Sequence, residues 1–195
     1  MTGAGVILYG PPASGKDTIT AQLAQAQQNF ALFERLKAGP GRTTGYRPTT
    51  PDHIERLAQA GALLYRNARY GAEYAIDREG VSALLESGQV PVLHMGQVAG
   101  VVALAAYPLR WLRVLLWCPL ETTENRSAER GDKDAEARVK AWHETREDLL
   151  ANAQEPWSLV LRTDQLAPVE SAQAIAAALR DGLMPRPQNI PELIK

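Results

Sequence analysis

Short apolar runs alternate along this chain with segments whose apolar residues recur every three or four positions. Gly5 to Gly10 reads as a buried strand, and beyond Asp17 the residues Ile19, Leu23 and Ala26 keep helical spacing, so the glycines between them fall at a strand-to-helix turn. A stretch rich in Gly, Pro, Arg and Thr from Gly39 to Pro51 predicts a loop, followed by a short helix from Asp52 to Gln59 that Gly61 stops. Leu63 to Asn67 and Tyr70 to Ile76 predict the two strands of a small flap. A helix carrying Val81, Leu84 and Leu85 ends at Gly88, where glycine takes a left-handed cap without steric cost.

The second half repeats the rhythm. It predicts a strand from Val90 to Leu93, where Pro91 is tolerated near the strand start, and a helix from about Gln97 to Ala106. A continuous apolar strand, Leu112 to Cys118, is followed by a polar helix from Leu120 to Arg130, with Pro108 and Pro119 at the joints. A long helix from Asp134 to Asn152 shows Val139, Trp142 and Leu149 on one face, and the strand Ser158 to Leu161 leads to a helix from Val169 to Leu179. Such alternation predicts an α/β fold with a parallel sheet, helices on both faces and a ligand site at the carboxyl ends of the strands. Residues 1–182 are expected to form one domain and 183–195 a proline-bearing tail, which docks either on its own domain or on a partner subunit.

Composition narrows the classes without choosing a chemistry. A chain of 195 residues suits a single domain with a proper core. Its net charge of -1 gives no general attraction for nucleic acid or membrane, so any nucleotide must be held by a local site. A single cysteine, Cys118, excludes an intramolecular disulfide and a four-cysteine zinc site and points to a reducing cytoplasm. The first residues lack a basic stretch followed by a long apolar one, and no apolar run is long enough to span a bilayer. A second copy of the chain remains a candidate partner.

The strongest chemical signal lies at the first strand-to-helix turn. Gly10-Pro11-Pro12-Ala13-Ser14-Gly15-Lys16-Asp17-Thr18 matches the phosphate-loop pattern G-x-x-x-x-G-K, in which successive main-chain N–H groups wrap a β-phosphate at a helix N-terminus and the lysine reaches the β and γ phosphates. This pattern predicts nucleoside triphosphate binding; ATP is the expected phosphate donor, and the pattern itself does not choose between ATP and GTP. The position after the lysine usually carries Ser or Thr on magnesium, and here it is Asp17, a hard oxygen ligand suited to Mg2+. The alternative role for Asp17 is an acidic residue favoured by the helix dipole. Thr18 is a candidate for the α-phosphate.

From these residues onward the order of parts resembles guanylate kinase and its relatives in the nucleoside monophosphate kinase group over most of the chain. The Gly-Lys-Asp-Thr variant also resembles the ribose 1,5-bisphosphate phosphokinase branch of that group. The resemblance implies a P-loop three-layer sandwich with an acceptor flap at about 40–76 and an arginine-rich lid at about 126–138. It implies that Arg42-Thr43-Thr44-Gly45-Tyr46-Arg47 is a displaced version of the family's acceptor-phosphate segment, so that Arg42 and Arg47 hold the acceptor, and that Tyr70 in Tyr70-Gly71 touches the same phosphate. In the lid it implies that Arg126, Arg130 and Arg138 close over the triphosphate, stabilise transferring charge and exclude water. Solvated loop arginines and an exposed helix laced with Glu–Arg pairs are the plainer alternatives.

Where guanylate kinases read guanine with a flap glutamate and an Asp-x-Asp strand end, this chain has Leu93-His94-Met95-Gly96-Gln97 and no acidic residue in the expected flap position. The missing readers argue against GMP as preferred acceptor. His94 is a candidate for a sugar hydroxyl or a phosphate, or else a satisfied core histidine. The expectation is an ATP- and magnesium-dependent kinase acting on a small phosphate-bearing acceptor, a nucleoside monophosphate or a ribose phosphate. The alternatives are a kinase for a sugar or antibiotic hydroxyl, with His94 or Asp77 as base, and a nucleotide-binding module or NTPase without acceptor kinase activity.

Overall fold

The computed structural model describes residues 3–27, 29–69, 71–131 and 135–194. In chain order these form β1 (Ala4–Tyr9), α1 (Lys16–Ala26), β2 (Phe30–Leu32), β3 (Arg35–Ala38), β4 (Tyr46–Pro48), α2 (Pro51–Gln59), β5 (Leu63–Arg69), β6 (Ala72–Asp77) and α3 (Arg78–Glu86). They continue with β7 (Val90–Met95), α4 (Val98–Ala105), β8 (Arg110–Trp117), α5 (Leu120–Glu129), α6 (Ala135–Ala151), β9 (Leu159–Arg162), α7 (Pro168–Arg180) and α8 (Ile190–Leu193).

The main sheet runs β2-β7-β1-β8-β9 and every pairing in it is parallel. Because side chains alternate along a strand, Val6 and Leu8 of β1 enter one core with Ile19 and Leu23 of α1 and Ile175 of α7. Ile7 and Tyr9 enter the opposite core with Val81 of α3, Val101 of α4 and Trp142 of α6. The expected α/β sandwich, a parallel sheet flanked by helices, is therefore the observed fold. Among the described residues no helix is long and apolar enough to cross a membrane.

The flap is larger than expected. In place of two strands it is a four-stranded sheet ordered β4-β3-β6-β5, starting at Arg35 within a stretch that carried no strand expectation. Its strands alternate in the same way. Leu36, Ala38 and Ala75 pack on Ile54 of α2, so the other face is free to carry polar side chains toward the phosphate loop. The expected loop over 39–51 likewise contains β4, paired in parallel with β3. The C-terminal segment lies on its own domain: Trp157 and Arg186 exchange main-chain hydrogen bonds of 3.1 and 3.0 Å, and Ile190 and Ile194 are buried beside Trp142 and Leu149.

Candidate functional site

The phosphate loop joins β1 to α1 at the carboxyl edge of the main sheet. Two glycines are fixed by geometry there. A Cβ on Gly10 would stand 2.2 Å from the carbonyl oxygen of Leu116, and Gly15, the N-cap of α1, has φ 86°, a conformation only glycine takes without strain. Ser14 is fully buried. Lys16 folds back on the loop, its Nζ donating to the carbonyls of Gly10 (2.7 Å) and Pro11 (2.8 Å) and to Ser14 Oγ (3.2 Å). All three partners are neutral, and burial pulls the ammonium pKa down to about 8, with Asp17 opposing the shift. The Asp17 carboxylate itself is 72% exposed at the mouth of the site.

A cavity of about 280 Å³ separates this loop from the flap. Gly10, Lys16 and Asp17 face it from one side, and Arg35, Arg42, Tyr46 and Arg69 from the other. Strand alternation explains the second group: Tyr65 and Arg69 share one face of β5, whereas Arg66 points away and pairs with Glu55 and Glu73. Arg69 also pairs with Glu144 of α6, which links the flap to that helix. His94, at the end of β7, completes the floor. Its Nε2 lies 2.7 Å from the buried Thr20 hydroxyl and its Nδ1 3.5 Å from Asp17 Oδ1. Burial, then the charge of Lys16, pulls its pKa down to about 3, with Arg35 and Arg42 adding to the effect and Asp17 opposing it. The imidazole is therefore neutral near pH 7, with Thr20 and Asp17 fixing its two nitrogens.

Not every expected acceptor residue reaches this cavity. Arg42 does, on a loop tied down by Lys37, but Arg47 is turned away. Arg47 pairs with Asp77, donates to the Glu34 carbonyl at 2.8 Å and lies over the Phe33 ring. Asp77 in turn caps α3 by accepting from the Gly80 N–H at 2.9 Å. Tyr70 lies outside the described residues. Sequence reasoning missed Arg35, Tyr46 and Arg69 as cavity residues; the period-two pattern Tyr65, Asn67, Arg69 and the alternation Arg35, Leu36, Lys37, Ala38 carried that information.

A second pocket of about 230 Å³ lies on the other side of the loop, between Ala13, Gly15 and Thr18 and the segment Thr163 to Pro168. Arg126 closes it, donating to the Ala13 carbonyl (3.0 Å), Thr163 Oγ1 (3.3 Å) and the Thr163 carbonyl (2.5 Å). Arg130 lines the same pocket. Arg138 lies instead in the groove between α5 and α6, which shares no phosphate-loop residue. Thr163, Leu166 and Pro168 were not anticipated, since nothing in a short polar segment after a strand marks it as a pocket wall.

A parallel sheet whose first strand feeds a glycine-rich turn, a half-buried lysine and a helix N-terminus defines the class of P-loop kinase-like folds. Within that class the chain belongs to the AAA domain family, whose model matches residues 6–156. Its fold is similar to that of guanylate kinase from Anaplasma phagocytophilum, with a TM-score of 0.66 at 16% sequence identity, covering 94% of this chain and 87% of that one. A shikimate kinase from Acinetobacter baumannii, solved in complex with shikimate, aligns with a TM-score of 0.48 at 20% identity over 92% of this chain and 94% of that one. No curated protein sequence matches the chain.

Proposed function

We propose that the protein is an ATP-dependent kinase that transfers the γ-phosphate to a small phosphate-bearing acceptor, either a nucleoside monophosphate or a sugar phosphate such as a ribose phosphate. The observation that carries this reading is the shared cavity: Lys16 and Asp17 of the phosphate loop face Arg35, Arg42 and Arg69 of the flap across one space. Two phosphates with opposed charge partners on either side are what phosphoryl transfer between them requires. The likeness of fold to a guanylate kinase supports it.

In this reading residues 1–182 act as one kinase domain, with the acceptor flap widened from 40–76 to include β3. The phosphate loop, Gly10 to Thr18, holds the triphosphate, and the pocket closed by Arg126 takes the nucleoside. Arg130, which lines that pocket, contributes lid charge on closure, whereas Arg138, in the groove between α5 and α6, stands apart from it. Lys16 leaves its carbonyl partners for the β and γ phosphates. Among the described residues no group of three or more His, Cys, Asp and Glu is placed to hold a metal ion. Asp17, exposed at the mouth of the site beside the phosphate loop, fits magnesium arriving on the nucleotide, where one carboxylate completes a shell of phosphate and water oxygens; bound there, the ion would neutralise charge between donor and acceptor.

A phosphate acceptor is already anionic and needs no strong base. This suits the site, because Asp77 is committed to Arg47 and the α3 N-terminus, and His94 is committed to Thr20. The test is ADP formation from ATP and magnesium against GMP, other nucleoside monophosphates, sugar phosphates and sugar alcohols, with Lys16→Ala as control. Acceptor-dependent turnover lost in the variant supports the kinase; nucleotide binding with no turnover on any acceptor refutes it.

A further inference from the structure

Behind Arg35 and Arg69 the acceptor cavity narrows into an inner chamber of about 100 Å³, and both arginines line the two spaces. The chamber's remaining polar side chains are Tyr46, Tyr65, Asn67, Tyr74 and Gln97. We propose that this chamber reads the part of the acceptor remote from its phosphate, that Asn67 determines its specificity, and that the acceptor is a phosphorylated sugar or polyol and not a nucleotide. The inference rests on the acceptor reading of the larger cavity.

Three observations lead there. First, Asn67 Oδ1 is buried without a hydrogen-bond partner. Asn67 shares the cavity face of β5 with Tyr65 and Arg69, so this oxygen awaits a donor from whatever fills the chamber. A ligand hydroxyl supplies one. Second, no carboxylate lines the chamber among the described residues, so it offers no charged acceptor for the paired N–H groups of a guanine edge and no counter-charge for a cationic acceptor. Third, the aromatic faces are already taken. Tyr46 and Tyr74 pack together at 5.5 Å, Arg35 lies 5.7 and 5.1 Å from their centroids, and Lys37 lies 5.7 and 5.9 Å from them. Tyr65 packs against the main core and donates its hydroxyl to Gln97 Oε1 at 2.9 Å. Among the described residues no tyrosine of the chamber is left as a stacking platform for a base, whereas a compact hydroxyl-bearing group needs none.

The experiment is calorimetric titration of the ADP-loaded full chain with ribose 5-phosphate, GMP, AMP and inorganic phosphate. Ribose 5-phosphate is expected to bind at least about tenfold more tightly than GMP, AMP or phosphate. Asn67→Leu should bring it down to the level of phosphate while ADP affinity, which reports a folded protein, stays unchanged. Asn67→Asp, which keeps an accepting oxygen, should retain the preference for the sugar ester over phosphate. Tighter binding of GMP or AMP, no sugar ester bound above phosphate, or an Asn67→Leu variant that binds all four probes as the parent does would each overturn the proposal. Binding stands apart from turnover: phosphorylation of nucleoside monophosphates would keep the kinase and defeat this inference, and sugar-ester binding without ADP formation would do the reverse.

Discussion

Lys37 Nζ donates at 2.8 Å to the main-chain carbonyl of Arg42, the residue that carries a guanidinium into the acceptor cavity. The lysine is 4% exposed and also donates to the Pro40 carbonyl at 2.6 Å. Its partners are carbonyl dipoles and the faces of Tyr46 and Tyr74, so its charge adds to the field of the cavity while its hydrogen bonds fold the loop from Pro40 to Arg42 back onto the flap.

Replacing it with an uncharged side chain of similar reach therefore separates positioning from contact. Lys37→Met is expected to raise the acceptor KM about tenfold, equivalent to about 1.4 kcal/mol, with a smaller change in kcat and none in ADP affinity. Steady-state kinetics with the acceptor varied, together with ADP titration, check this. An unchanged acceptor KM would show that Arg42 needs no such tether.

Lys16 makes nucleotide binding dependent on pH. In the free protein burial holds its pKa at about 8, and phosphate oxygens replacing the carbonyl partners favour the charged form and raise it. Binding then takes up a proton wherever the free lysine is neutral and the bound one is not, from about pH 8 upward. Affinity for magnesium-free ADP should fall as the pH rises above 8. Calorimetry at pH 8.5 in buffers of different ionisation enthalpy should register this proton uptake, and Lys16→Met should abolish it. For folding alone the sign is the opposite: the folded lysine is harder to protonate than the unfolded one, so its contribution to stability rises with pH between about 8 and the ordinary lysine value.

Much of this was legible in the chain. The apolar runs around β1, β7 and β8 are strands largely buried on both faces, and the edge strand β9 keeps an apolar run though it is only partly buried. The phosphate loop has a spacing that only its chemistry demands. The flap was less legible because its strands are short and one face is built of cations. Arg35, Lys37, Arg66 and Arg69 carry charges of the kind that usually mark a solvated face, yet strand alternation aims three of them inward and leaves Arg66 paired outside with Glu55 and Glu73. Arg47 misled for the converse reason. It sits beside a Thr-rich loop that looks like an anion site, while Asp77, thirty residues later in sequence, holds it. Only the fold brings such pairs together.

Arg126 joins the phosphate loop to the segment after β9 through three hydrogen bonds to Ala13 and Thr163. Arg126→Ala should weaken ADP binding about tenfold and lower unfolding free energy by about 2 kcal/mol, since hydrogen bonds from a charged donor outweigh neutral ones. Arg126→Lys should recover little, because one ammonium cannot span both residues as the guanidinium fork does. ADP titration and urea unfolding on the same samples would separate the two effects.

The last prediction concerns a contact remote from the cations. Helix α4 has no side-chain cap of its own. Asp148 of α6 supplies one from a distance, accepting the Val98 N–H at 2.7 Å with the same oxygen that accepts the Tyr9 hydroxyl at 2.8 Å. A carboxylate at a helix N-terminus is favoured by the helix dipole, and here it also binds α6, α4 and the end of β1 into one unit directly behind the phosphate loop. The neighbourhood has a visible effect on Tyr9, whose pKa is driven far above the ordinary phenol value by burial and then by the Asp148 charge. Asp148→Ala would leave the Val98 N–H without its cap and the Tyr9 hydroxyl with only the longer 3.3 Å contact to the Thr145 carbonyl. The expected loss is about 3 kcal/mol of unfolding free energy. Asp148→Asn keeps an accepting oxygen but not the charge, and should lose about half as much. Urea unfolding of the three proteins in parallel checks the order; an Asn variant as unstable as the Ala variant would mean that charge at the α4 N-terminus, and not the shared hydrogen bonds, holds these elements together.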